Sequence, residues 1–192
     1  MKRGVLRLAV FFSLITSAIM LSSGCASKQA SKDEAPPITN MTGPYQQLTK
    51  QLHKEIKAGH AQVSQLDKSL KIAFVNDILF SKGGWSIDRK GKEILDKVIP
   101  VFKTLKDSDI EVYGHTDNSP VMLSLRGKFS TNRELSLARA VDVVNYLKEK
   151  GISPDLLTAT GYGADQPVSP NDMPQGRARN RRIEILIVAA DG

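Results

Sequence analysis

The sequence predicts an α/β domain with a small mixed β-sheet and helices on one side. Short alternating apolar segments of strand length are interspersed with two longer segments whose apolar residues recur at helical spacing. The 192 residues are 41% hydrophobic and 24% charged, which is ordinary for one globular domain with short appendages. One Cys permits neither an intrachain disulfide nor a cysteine-built zinc site, so a packed core must hold the fold.

Residues 1–24 are typical of a secretory signal peptide. Three basic residues precede an apolar run from Leu8 to Leu21, and small residues follow it. The run is shorter than the roughly 20 apolar residues that a bilayer span requires. Gly24-Cys25 resembles the end of a bacterial lipobox, so we expect lipid attachment at Cys25; the alternative is a signal with an unmodified thiol. The next residue, Ala26, is not acidic, and in this the chain resembles lipoproteins that are sorted to the outer membrane, so the resemblance implies a position at its periplasmic face.

Residues 25–43 contain almost no apolar side chains, which predicts a flexible, lipid-anchored tether. Residues 44–59 then predict one leading amphipathic helix, because Leu48, Leu52 and Ile56 recur every fourth position between lysines. We expect this helix to pack on the domain or on a partner.

Residues 60–190 are expected to form the domain, and it begins with three strand candidates. Residues 62–66 and 70–75 alternate in polarity and are separated by Asp67-Lys68, which predicts a hairpin. Residues 78–80 are a third short apolar run and the third strand candidate.

Two long helices are predicted next. Asp88 is a good N-cap for the first, whose apolar face is formed by Ile94, Leu95, Val98, Ile99 and Phe102. Thr131 to Glu134 is a capping-box pattern for the second, which ends at Gly151. Its predicted buried stripe is Leu137, Ala140, Val141, Val144 and Leu147. Residues 109–114, 157–160 and 183–188 are the remaining strand predictions.

Polar residues at one strand end and one helix start are the candidates for ligand binding. His115, Thr116 and Asp117 directly follow the strand predicted over residues 109–114. Asn132 and Arg139 are seven residues apart and therefore share a helix face. An Arg fork matches a carboxylate and an Asp accepts from an ammonium, so the set suits a zwitterionic ligand. The alternative is that Asp117 only turns the loop and Arg139 pairs with a surface acid.

Several segments in one order carry a resemblance to a known family. They are GHTDNSPVMLSLRGKFSTNRELSLARA, GYGADQPVSPND and GRARNRRIEI. Together they closely resemble the OmpA-like C-terminal domain of peptidoglycan-associated lipoproteins and flagellar stator proteins, over roughly residues 63–188. The segment 118–131 is longer than in those lipoproteins and is similar to the stator type.

The resemblance implies an OmpA-like two-layer sandwich that binds the meso-diaminopimelate of peptidoglycan stem peptides without cleaving it. It assigns ligand binding to Asp117, Arg139 and Asn132, and we include Thr116 and His115 beside them. With lipid at the cysteine, the implied function is a noncovalent tether between the outer membrane and the cell wall. The alternative is a scaffold subunit of a secretion, motility or division complex that mainly binds envelope proteins.

Other classes of function are not favoured by the sequence. The other two His lie in a different segment from His115, so we expect no metal site and no cofactor. His115, Asp117 and Ser119 are so close in sequence that they cannot easily adopt the geometry of a catalytic triad. We therefore predict that the protein is not an enzyme. The chain carries a formal charge of +7, but export argues against nucleic acid as a partner.

Overall fold

The computed structural model describes residues 41–105 and 107–189. Its helices are α1 (Thr42–Gln51), α2 (His53–Lys57), α3 (Arg89–Phe102), α4 (Asn132–Glu149) and α5 (Pro174–Asn180). Its strands are β1 (Ala61–Leu66), β2 (Ser69–Val75), β3 (Ser108–His115), β4 (Leu157–Gly163) and β5 (Arg182–Ala189). The predicted signal peptide, the predicted lipid site at Cys25 and the tether as far as residue 40 lie outside the described residues.

The five strands form one mixed sheet in the order β1-β2-β5-β3-β4. The β3–β4 pair is parallel, and the other neighbouring pairs are antiparallel. Strands β1 and β2 form the predicted hairpin, with Leu66 opposite Ser69. The predicted α/β class with a small mixed sheet is confirmed.

One face of the sheet is covered by helices, as predicted. Alternate residues of the central strand β5 and of its neighbour β2 are fully buried in the core, namely Leu70, Ile72, Phe74, Ile183, Ile185 and Ile187. They pack with the apolar faces of α3 and α4 in one core cluster. The intervening residues form the outer face of the sheet, which is partly exposed and carries Lys71, Glu111, Tyr113, Tyr162 and Glu184.

The predicted N-caps of both long helices are confirmed. The Asp88 carboxylate accepts a hydrogen bond from Gly91 N at 2.8 Å, at the start of α3. At the start of α4, Thr131 Oγ1 accepts from Glu134 N at 3.1 Å, and Glu134 accepts in return from Ser130 N at 2.7 Å. These local bonds fix where α4 begins, which matters because α4 lines the site described below.

The leading segment belongs to the domain core. It forms two helices rather than one, and Leu48 and Leu52 are fully buried in the main cluster. Met41 is also buried and α1 begins at Thr42, so the last three residues of the predicted tether are part of the folded domain. Of the two expected packing partners, the domain itself is therefore the one that these apolar residues contact.

One strand prediction is wrong, and one helix was not predicted. Residues 78–80 are not a strand, because Leu79 N and Phe80 N both donate to Asn76 O and turn the chain into a short 3-10 helix at Asn76–Ile78. Phe80 then makes a single bridge to Ile87. Helix α5 was not predicted, since its arginine-rich sequence has no apolar period.

The predicted buried stripe of α4 is wrong at two positions. Leu137 and Val141 are 41% and 40% exposed, whereas Ser136 and Val143 are fully buried. The helix is rotated because the backbone of its first turns lies directly against two strand glycines, which places a small side chain, Ser136, against the sheet.

In the part of the chain that the structure describes, no helix combines the length and the apolar character needed to cross a membrane.

Candidate functional site

A cleft of about 480 Å³ lies at the end of β3, next to the first half of α4. Its polar lining consists of Asn76, Asp77, Ser81, Lys82, Thr116, Asp117, Ser119, Asn132, Arg139 and Arg181. Its apolar lining includes Phe80, Val121, Met122, Leu125 and Leu135. The structure thus brings four of the five predicted ligand residues to one cleft, and His115 is the exception.

Close approach of α4 to the sheet creates this juxtaposition. A Cβ atom on Gly114 would lie 2.1 Å from Ser136 O, and one on Gly161 would lie 2.4 Å from Leu137 N. Such distances leave room only for glycine. In addition, Gly163 N donates to Ser136 Oγ at 2.9 Å, which fastens β4 to the same turn of α4. The loop after β3 therefore lies beside the start of α4.

Asp117 is a buried carboxylate held by two donors. Its Oδ1 accepts from Ser119 N at 2.9 Å and its Oδ2 from Arg181 Nη1 at 2.7 Å. Burial raises the pKa of Asp117, but the bonds from Arg181 and Ser119 outweigh it and hold the pKa below its ordinary value. A carboxylate has about four lone-pair positions, so this ionised group can still accept from a ligand.

Asn132 fixes the loop that carries Asp117. Its Nδ2 donates to Ser119 O at 2.8 Å and reaches Asp117 O at 3.4 Å. As the first residue of α4, it connects the helix start to the loop after β3. Thr116, the residue before Asp117, is buried, and its hydroxyl donates to Asp117 O at 2.8 Å. These two side chains therefore orient the Asp117 loop.

Arg139 is a buried guanidinium that lines the same cleft. It is 7% exposed, and its Nε and Nη2 donate to Gly84 O at 3.0 and 2.7 Å. Burial lowers the pKa of Arg139 to about 10, and the carboxylates of Asp77 and Asp117 oppose this shift. The group is thus positively charged at neutral pH. Its Nη1 has no hydrogen-bond partner among the described residues, which leaves a donor for a carboxylate.

Arg181 is a cleft residue that sequence reasoning missed as part of the site. Besides its bond to Asp117, its Nη2 lies 3.9 Å from an Asp77 carboxylate oxygen. The adjacent Arg182 is buried instead, and its Nε donates to Glu184 at 2.7 Å. Consecutive residues at the start of a strand point to opposite sides, and this alternation between Arg181 and Arg182 is the signal that could have identified Arg181.

His115 lies outside the cleft lining, contrary to its expected ligand contact. Its ring stacks on Tyr162 at 5.4 Å, on the outer face of the sheet. The preceding residue, Gly114, faces α4, and a register shift in β3 follows between these two residues. Side-chain alternation along the strand therefore directs His115 away from Asp117.

His115 makes folding stability depend on pH. Burial, followed by the charges of Arg182 and Lys71 against that of Glu184, lowers its pKa from 6.5 to about 4. Between these values the unfolded chain binds a proton that the folded chain does not, so acidification from pH 7 to pH 5 should lower the unfolding free energy by roughly 2 kcal/mol. Denaturant unfolding at the two pH values measures this.

The pH effect should be absent in His115→Gln and retained in His53→Gln, a change at an exposed histidine on α2. An equal pH effect in His115→Gln would show that other groups cause it.

An apolar wall completes the cleft. Val121, Phe129 and Leu135 form a small buried cluster, separate from the main core. Trp85 packs edge-on against Phe129 at 5.9 Å, and the Lys128 ammonium lies 3.4 Å from the centre of the Trp85 ring. This cluster holds the long segment between β3 and α4 against the loop after β2, so both loops form the rim of the cleft.

The fold and the cleft together define a class of α/β domain in which a strand end supplies a carboxylate and a neighbouring helix supplies a guanidinium to one cleft. Comparison with known families agrees with this class. Residues 79–181, more than half of the chain, match the family described as the OmpA family. The chain belongs to the OmpA family, which confirms the resemblance seen in the sequence.

A named relative shares part of this sequence. The chain is 32% identical over 124 residues to the peptidoglycan-binding protein ArfA of Mycobacterium tuberculosis (strain ATCC 25618 / H37Rv), a match that covers 65% of this chain and 36% of that protein. The chain thus spans little more than a third of that relative's length.

Solved structures share the fold. A MotB-like protein from Desulfovibrio vulgaris superposes with a TM-score of 0.71 at 25% identity, over 81% of this chain and 94% of that one. The cell wall anchor of the T6SS from Pseudomonas aeruginosa superposes with a TM-score of 0.67 at 30% identity, over 74% of this chain and 97% of that one.

Proposed function

We propose that this chain binds peptidoglycan noncovalently, through the diaminopimelate side chain of the stem peptide. The observation that carries the proposal is the arrangement of Asp117 and Arg139. Both line one cleft, neither is bonded to the other, and each is held in place by other groups. The similarity to the peptidoglycan-binding protein ArfA and to the cell wall anchor of the T6SS supports the same assignment.

The chemistry of the cleft fits a zwitterionic side chain. The ligand ammonium would donate to the free lone pairs of Asp117, and its carboxylate would accept from Arg139 Nη1. Val121 and Leu135 on the apolar wall would contact the methylene chain between these groups. Burial strengthens both charge contacts relative to exposed ion pairs, which contribute only about 0.2–1 kcal/mol. Many copies facing a repeating polymer would add avidity.

Binding without cleavage is part of the proposal. The Thr116 hydroxyl donates to the backbone, and the nearby histidine, His115, lies on the outer face of the sheet. A hydrolase that used Thr116 as nucleophile would need a base within hydrogen-bond reach of its hydroxyl. The cleft residues are thus better suited to holding a ligand than to cutting it.

Replacing Asp117 by Asn tests the site. The substitution keeps the shape and the bond from Ser119 N but removes the charge, so we expect at least a tenfold loss of affinity for purified sacculi. The measurement is co-sedimentation of the detergent-solubilised full chain with sacculi, with free diaminopimelate as competitor. Asp155→Asn, at an exposed position outside the cleft, is the matched control. Unchanged sedimentation of Asp117→Asn would remove the basis of the assignment.

Lipid attachment at Cys25 is the second part of the proposal, and it would hold the domain at the periplasmic face of the outer membrane. It is supported by the signal-like sequence before Cys25 and by the polar segment that follows. Residues 26–40 would span up to about 50 Å when extended, which lets the cleft reach the wall from the bilayer. Two or more acyl chains give long membrane residence.

Cys25→Ser should abolish incorporation of an alkyne-labelled fatty acid into the chain and release it from the membrane fraction. The measurement is click labelling and fractionation of expressing cells. Because Cys25 is the single cysteine, the wild type should give one labelled species. Equal labelling of Cys25→Ser would contradict the proposed lipid site.

A role within an envelope complex is a second proposal, favoured by the likeness to the T6SS wall anchor, whose solved chain is covered over 97% of its length. In such a complex the cleft would serve as the wall-binding part. The leading segment is not favoured as the surface that binds envelope protein partners, because Leu48 and Leu52 are buried in the domain's own core.

A further inference from the structure

Two neighbouring aliphatic side chains are exposed in the long segment between β3 and α4. They are Met122, which is 50% exposed, and Leu123, which at 80% is the most exposed large apolar side chain among the described residues. We call this pair the apolar tip. An exposed apolar surface surrounded by polar residues is typical of an interaction site.

The apolar tip is held in place by contacts behind it. A Cβ atom on Gly83 would lie 2.9 Å from Met122 Sδ, so Met122 packs directly on this glycine. Leu125 N donates to Met122 O at 2.8 Å and closes a short 3-10 turn, and the Leu125 side chain packs against the small cluster that contains Val121. The exposure of the apolar tip is therefore built into the turn.

The charges around the apolar tip have one sign. The two rim segments, residues 81–87 and 118–133, contain four basic residues and no acidic residue. The basic residues are Lys82, Arg126, Lys128 and Arg133. None of them forms an ion pair with another described residue. Their positive charges are therefore available to an external anion.

Three of these cations are close to the apolar tip. Lys82 directly precedes Gly83, on which Met122 packs. Arg126 Nε donates to the backbone oxygen of the residue before Met122 at 3.0 Å. The Lys128 ammonium lies 3.4 Å from the centre of the Trp85 ring, and this ring packs against the same small cluster as Leu125.

An anionic lipid surface fits this combination. Aliphatic side chains can enter the boundary between headgroups and acyl chains, while cations beside them contact lipid phosphates. An acidic protein could pair with the cations, but it would also need an apolar pocket matched to the tip. A bilayer accepts such a tip at any point of its surface, so we favour the bilayer.

We infer that the apolar tip and the cations Lys82, Arg126 and Lys128 form a docking surface for an anionic phospholipid bilayer. The inference goes beyond the proposed function and does not depend on whether the cleft binds peptidoglycan. Docking requires both apolar insertion and charge attraction, and the second contribution weakens as salt screens it.

Fluorescence of Trp85, the single tryptophan of the chain, tests this inference. The full chain is transferred from detergent into vesicles of brominated phosphatidylcholine, with or without phosphatidylglycerol, because bromine quenches a nearby indole. In the anionic vesicles, Trp85 fluorescence should fall by about half relative to unbrominated lipid of the same composition. It should change little in the neutral vesicles, and high salt should reverse the loss.

Leu123→Gln should lose most of the quenching, because it removes apolar insertion, and Lys128→Gln should lose about half of it. Both side chains are exposed and lie outside the cleft lining, so the variants should fold. Leu66→Gln at the β1–β2 hairpin and Lys148→Gln in the last turn of α4 are the matched controls and should quench like the wild type.

Three results would overturn the inference. They are equal quenching in neutral and anionic vesicles, full quenching in Leu123→Gln, and no quenching in either kind of vesicle. The last result would leave an acidic protein as the alternative occupant of this surface.

Discussion

Replacing Arg139 by Met is expected to abolish retention of the chain on sacculi. Met fills a similar volume but supplies neither the positive charge nor the donor that Nη1 offers to a carboxylate. It also leaves Gly84 O without its two bonds, so we expect a loss of about 1–3 kcal/mol in stability. Co-sedimentation and denaturant unfolding measure the two effects separately.

Arg139→Lys distinguishes charge from geometry. Lys keeps the positive charge but lacks the planar guanidinium that can donate to Gly84 O and to a ligand carboxylate at the same time. We therefore expect the affinity of Arg139→Lys for sacculi to be about tenfold below that of the wild type. Arg133→Lys, at an exposed position on the same helix, should bind normally. Full retention of Arg139→Met on sacculi would mean that the carboxylate is bound elsewhere.

Arg139 has a second role, which is to hold the loop between Phe80 and Asp88. Gly84 O accepts from Arg139, and Ile87 N donates to Asp142 at 2.7 Å, so two residues one turn apart on α4 hold this loop. The same loop forms one rim of the cleft through Gly83. Loss of Arg139 should therefore affect the shape of the cleft as well as its charge.

Local signals predicted much of this fold. The N-caps at Asp88 and Thr131 and the hairpin around Asp67-Lys68 depend on residues within a few positions of one another. Such contacts can be derived from spacing and side-chain chemistry alone. The same holds for Thr116 and Asp117, since a polar residue after a buried strand must lie at the edge of the sheet.

Contacts between distant segments could not be derived in this way. The rotation of α4, which exposes Leu137 and Val141, is set by two glycines on separate strands. The apolar spacing within α4 cannot reveal contacts with those glycines. The bond from Arg181 to Asp117 joins residues 64 positions apart. The position of His115, by contrast, follows from strand alternation after Glu111 and Tyr113, and its place next to Thr116 in the chain led to the wrong expectation.

The charges of the cleft explain how the folded domain can be stable and still leave a charged group available to a ligand. Asp117 is paired with Arg181, and Asp77 lies near the same guanidinium, so neither of these two carboxylates is left without a positive partner. Arg139 is held by a neutral carbonyl instead, which leaves its positive charge uncompensated by any direct ion pair among the described residues. In the proposed function, a ligand carboxylate would be the counterion of Arg139.

Gly114→Ala is expected to lower the free energy of unfolding of the domain by about 2–4 kcal/mol. This is a large loss for a glycine whose backbone angles alanine could also adopt. The added methyl group would lie 2.1 Å from Ser136 O, which is backbone of α4 and cannot rotate away. The start of α4 must move off β3 to accept it. Denaturant unfolding of the full chain measures the loss.

Gly127→Ala is the matched control, because a Cβ at Gly127 meets nothing within 4 Å and stability should stay within about 0.5 kcal/mol. Any Gly114→Ala chain that remains folded should also bind sacculi more weakly, since moving α4 separates Asn132 and Arg139 from Asp117. Wild-type stability together with wild-type binding in Gly114→Ala would show that the close contact of β3 with α4 does not set the geometry of the cleft.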